Sequence, residues 1–155
     1  MKPILIVVTV IVVAALAGTV LLFTPSTPIT QSSDFGLEYS RKGGIAGMDE
    51  KLVIMADGAA SFTSNRREPF STKLDAPVFD DLKGLISRNI DKVPSTSIKA
   101  MPGAADYFQY TMTVKAIGKV YEFSWVDEGA AQAKIPETLN LIHSRIVIVQ
   151  ESLIK

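Results

Sequence analysis

Cysteine is absent and histidine occurs once, at His143. Without cysteine there are no disulfides, no thiolate metal site, no cysteine nucleophile and no lipidated N-terminal cysteine. A lone histidine leaves a zinc site to be built almost wholly from carboxylates, against the usual ligand preference of zinc. An excess of either charge is also missing: Lys plus Arg and Asp plus Glu both number 16, so the net charge is zero. Nucleic-acid binders usually carry a basic surplus, so no nucleic-acid partner is expected. No cofactor-binding signature, repeat or charged block interrupts the 155 residues.

What is abundant is apolar sequence at the N-terminus. Ile4 to Phe23, ILIVVTVIVVAALAGTVLLF, holds no charge and no proline. At about 1.5 Å per residue, such a helix spans roughly 30 Å, the thickness of a bilayer core. Lys2 and the α-amine precede it and favour the cytoplasmic side. Residues 1–23 are therefore expected to form a transmembrane anchor or signal segment, with the bilayer as partner of residues 4–23. Ala15-Leu16-Ala17 is the competing signal: cleavage there would release a secreted domain, though with the greasy Val20–Phe23 as its new start. Either way the remainder is expected outside the cytoplasm, single-pass if the anchor is kept. Residues 24–33, TPSTPITQSS, read as an extended linker. Residues 34–155 are long enough for one modest core.

Phe35, Leu37 and Tyr39 alternate with Glu38 and Ser40, a half-buried strand. KLVIMA at 51–56 is apolar on both faces. Asp57-Gly58 follows and suits a type I′ hairpin turn, with AASFTS as the return strand. From Asp75 the period changes: Val78, Phe79, Leu82, Leu85 and Ile86 make one helical stripe, with Asp75 as N-cap and Pro77 in the first turn. Arg66-Arg67-Glu68 and KVPSTSIKAMPGAA read as loops. DYFQYTMTVKA and KVYEFSWVDE form a second hairpin around Ile117-Gly118. IPETLNLIHSRIVIVQESLIK closes as a helix with Leu139, Ile142, Ile146, Val149 and Leu153 inward, although RIVIV also suits a strand. The expected architecture is α+β: an antiparallel sheet of about five strands, ordered β-β-β-α-β-β-α, with two helices on one face, preceded by one transmembrane helix.

The glycine-rich GGIAG at 43–47 lacks the spacing of a dinucleotide or P-loop motif, and a strand, not a helix N-terminus, follows it. It reads as a hairpin bend, or as a recognition loop with Ile45 and Met48 as exposed apolar contacts. His143 sits one residue beyond the apolar stripe of its helix and reads as a packing residue, with no G-x-S-x-G elbow to serve. Asp80-Asp81 and Asp127-Glu128 are neighbours whose side chains diverge, so they read as solvated surface. No catalytic and no metal-ligating residue is expected.

YSRKGGIAGMDEKLVIMADGAASF resembles the start of emfourin-like proteins, small inhibitors of thermolysin-type metallopeptidases such as protealysin. The likeness is carried by Arg41, Gly43, Gly44 and Ile45, a bend, and an apolar strand ending in Asp57-Gly58. It runs more loosely through DYFQYTMTV and KVYEFSW to IPETLNLI. The resemblance implies a compact α+β domain that blocks a secreted metallopeptidase through surface loops, with Arg41, Gly43, Gly44 and Ile45 as binding residues; the recognition-loop reading adds Met48 to them. The alternatives are an envelope interaction protein of another ligand and a small hydrolase with His143 beside carboxylates.

Overall fold

Alternation of apolar and polar side chains governs the sheet. In the computed structural model, which describes residues 35–154, β1 (Gly36–Gly43), β2 (Met48–Ile54) and β3 (Ala59–Ser64) form a meander. β4 (Arg67–Lys73) extends it, and α1 (Ala76–Asn89) follows. A 3-10 turn and the two-residue β5 (Thr96–Ser97) lead to the hairpin of β6 (Phe108–Ala116) and β7 (Lys119–Val126), and α2 (Glu137–Leu153) closes the chain.

The sheet order is β4-β3-β2-β1-β6-β7-β5. Pairing sets one inner row of large side chains across six strands: Phe70, Phe62, Leu52, Tyr39, Met112 and Phe123. The two helices add Phe79, Leu82, Ile86, Leu139, Ile142, Ile146 and Val149 to the same core. The opposite face carries Glu38, Lys51, Thr113 and Glu122 and is open to water, the usual division of an antiparallel sheet.

The expected five-stranded antiparallel sheet is corrected to seven strands in a mixed sheet, because β5 runs parallel to β7. β4 grows out of the stretch expected to be a polar loop. Only Phe70 turns towards the core, so an edge strand with Pro69 inside it shows no apolar alternation. β5 arises inside the second expected loop. Two residues carry no periodic signal, and only the free edge of β7 makes them a strand.

The expected transmembrane helix at 4–23 lies outside the described residues. Among the described residues no helix is long and apolar enough to cross a membrane. Two local details also differ. Asp75 stands at the N-cap of α1 but makes no side-chain cap bond. At Asp57-Gly58 only Gly58 has positive φ, and the amide of Gly58 donates to the carbonyl of Met55 (3.0 Å). That is a longer loop ending in a left-handed glycine, not a type I′ turn. The positive-φ pair belongs to Ile117 (φ 48°) and Gly118 (φ 74°) between paired Ala116 and Lys119. RIVIV is helical, with Ile146 and Val149 buried and Ile148 exposed.

Candidate functional site

Arg41 follows Leu37 and Tyr39 at strand spacing, so its side chain emerges on the core side of β1. Glu50 shares the parity of Leu52 and Ile54 in β2, and pairing sets Arg41 opposite Glu50. The Arg41 fork donates from Nε (3.2 Å) and Nη2 (2.6 Å) to Glu50 Oε2, and Gln150 of α2 adds a third donor to the same oxygen at 3.1 Å. Glu50 and Gln150 are each only 6% exposed. A carboxylate so placed is tolerable only because charged and amide donors replace its water. The guanidinium also lies 5.1 Å over the Phe108 ring. Tyr39, Arg41, Met48, Glu50, Val147 and Gln150 help to line a recess of about 360 Å³ between β1, β2 and the end of α2.

His143 of α2 is wedged among Tyr39, Tyr110 and Trp125, with ring centroids 5.7, 4.8 and 5.3 Å away. Its Nε2 shares a 2.9 Å hydrogen bond with the Tyr39 hydroxyl. Burial, then the Arg41 charge, pushes the imidazole below its ordinary range, while Asp127 opposes the shift. Tyr39 and Tyr110 are pushed well above theirs, chiefly by burial, and both stay protonated at neutral pH. Tyr110 donates to Asp127 at 2.8 Å, and the Phe108 amide donates to the same carboxylate at 2.7 Å. Asp127 is thus part of the packed interior network, not the solvated surface expected of it. Asp80, Asp81 and Glu128 are exposed as expected, and Asp81 pairs with Arg145 at 2.6 Å on that surface.

This arrangement orients side chains; it does not assemble an acid–base relay. His143 hydrogen-bonds a phenol whose proton is firmly held, and among the described residues no serine or carboxylate hydrogen-bonds the ring. Among the described residues no three His, Asp or Glu side chains gather as a metal site.

The GGIAG stretch is a hairpin tip. Gly43 pairs with Met48, and Gly44 to Gly47 make the connection. Gly43 (φ 108°) and Gly44 (φ 68°) adopt backbone that L side chains rarely take. A Cβ on Gly43 would lie 2.5 Å from the Tyr107 carbonyl oxygen, and one on Gly44 would lie 2.7 Å from the Phe108 ring. The close approach lets the Gly44 amide donate to Tyr107 (3.0 Å). The β3–β4 turn braces the tip from the other side. Asn65 Nδ2 donates to the Gly47 carbonyl (2.8 Å), Asn65 Oδ1 accepts from the Asp49 amide (3.1 Å), and Arg66 donates to the Ala46 carbonyl. Ile45, 89% exposed, projects from this frame.

Of the five residues expected to bind, the structure brings Arg41 and Met48 together in the recess and puts Gly43 and Gly44 beneath the tip. Ile45 stands at its apex. Sequence reading missed Glu50, Gln150 and the Tyr39–His143 contact. The parity of Arg41 with Leu37 and of Glu50 with Leu52 carried the signal: two charges on apolar faces announce a buried pair. Gln150, a hundred residues away from Glu50, gave none. No protein-family model matches this chain, and no curated protein matches its sequence.

Proposed function

We propose that residues 34–155 are an extracytoplasmic protein-binding domain, tethered through residues 4–23, that grips its partner with the Gly44–Gly47 tip. The carrying observation is Ile45, almost fully exposed on a loop held by hydrogen bonds from two sides. An apolar anchor that is already ordered loses little freedom on binding, which is what favours a central contact residue. Arg41 and Met48, in the recess nearby, offer a second contact of mixed polarity. The resemblance to emfourin-like inhibitors, carried by Arg41, Gly43, Gly44 and Ile45, supplies the partner class: a thermolysin-type metallopeptidase.

The test is a titration of such a peptidase with the full-length protein in detergent. Micromolar protein is expected to suppress peptide hydrolysis. Ile45→Asp should weaken the effect by roughly 30-fold, the scale of one lost anchor residue, with an unchanged unfolding midpoint. Full peptidase activity at micromolar protein would remove the inhibitor form of the reading. Recovery of the same partners by wild type and Ile45→Asp would remove the tip itself.

A further inference from the structure

At the end of the sheet where β1 begins, the solvent side turns apolar. Val120 is 62%, Met55 59% and Ile117 51% exposed. Gly36 pairs with Lys115, which pairs in turn with Val120. Since Val114 points into the core, Lys115 and Val120 point out. Gly36 has no side chain, and a depression of about 280 Å³ opens there, with Phe35, Val53, Met55 and Thr113 among its walls.

Ile117 makes this surface harder to dismiss as chance. A β-branched residue in left-handed backbone is strained, and an Asn-Gly pair would make the same turn with less strain. The chain nevertheless places isoleucine at that tip. Lys115 stands within this row, between Gly36 and Val120, and Lys119 precedes Val120; their stems can lie along an apolar surface while their ammonium groups reach water. Asp57 and Glu122 are also close by, so apolar contact outweighs lipid charge as the driving term.

Eleven residues, 24–34, separate Phe23 from Phe35. Fully extended, eleven residues reach about 40 Å at most. If Phe23 lies at a bilayer surface, this end of the domain stays within reach of the headgroups. We propose that Met55, Ile117 and Val120 rest in the headgroup region of the bilayer, with Lys115 and Lys119 at the water boundary. The proposal depends on the tether reading and deepens it. The eight residues of β1 cover about 24 Å, so Ile45, at the other end of that strand, is presented away from the lipid.

The absence of cysteine makes the test clean. Full-length Val120→Cys, Ile117→Cys and Ile45→Cys, each carrying an environment-sensitive fluorophore, are reconstituted into phosphatidylcholine vesicles containing spin-labelled lipid. Labels at 117 and 120 are expected to shift to the blue and to be quenched severalfold more strongly than the label at 45. Equal quenching at 45 and 120, with the protein still floating with the vesicles, would overturn the lipid contact and leave the tether intact. A blue shift at 120 without quenching would mean that protein, such as a second copy, covers the patch, and would overturn it too. Protein that fails to float with the vesicles at all would overturn both.

Discussion

The two ends of β1 expose one isoleucine each and support it in opposite ways. At the tip, glycines take the unusual backbone angles, so Ile45 is strain-free. Its loop is held by Tyr107, just before β6, and by Asn65 and Arg66 of the β3–β4 turn. At the other end Ile117 takes the positive φ itself, and its turn is part of a two-residue connection. The tip is a rigid mount for an exposed residue. The far turn accepts local strain to keep an apolar side chain outside. Exposure of an isoleucine therefore says little until the backbone under it is known.

The comparison breaks most readily at Gly43. Gly43→Ala puts a Cβ against the Tyr107 oxygen at a φ unsuited to alanine. A loss on the order of 3 kcal/mol is expected in denaturant unfolding followed by Trp125 fluorescence. Beneath the tip, Glu50→Ala strips the acceptor from Arg41 and Gln150 and should cost about 2 kcal/mol by the same measurement. At the opposite end the sign reverses. Ile117→Asn relieves the left-handed backbone and should raise stability by about 1 kcal/mol in detergent, while weakening contact with vesicles.

The smallest effect is the response to acid. The folded imidazole of His143 is pushed down, so below about pH 6.5 the unfolded chain takes up a proton that the folded chain refuses. Stability contributed by the neutral ring is complete above that pH and falls as acid is added. Since His143 is the only histidine, His143→Gln should flatten the profile below about pH 6.5, measured as unfolding midpoint against pH. An unchanged slope would show that carboxylates set it.

Much of the fold was legible because large apolar side chains repeat at the period of their element. The stripe Phe79, Leu82, Ile86 and the stripe Leu139, Ile142, Ile146, Val149 lie inward in α1 and α2. Tyr110, Met112 and Val114 do so in β6. β4 and β5 were illegible for the converse reason: one is an edge with a single inward residue, the other is two residues long. The turns were misread in a telling way. Asp57-Gly58 has the dipeptide of a type I′ turn but sits in a longer loop. Ile117-Gly118 makes the positive-φ pair because the register between Ala116 and Lys119 leaves only two residues for it.

The site divides along the same line. GGIAG was read as a bend or recognition loop, and the glycines at 43 and 44 do turn the chain. That Ile45 stands on a braced mount depends on Asn65 and Arg66, whose positions no local pattern gives. Arg41 was singled out through a resemblance; its partner Glu50 comes from register.

From the order of residues alone follow the apolar leader, the lack of thiols, the two helices and the main strands, because periodicity and composition act over short spans of chain. Sheet order, the parallel β5, the Arg41–Glu50–Gln150 cluster and the seat of His143 were decided only when distant segments packed. Those features depend on which strand edge is free and which buried polar atom needs a donor, and neither quantity exists until the chain has closed on itself.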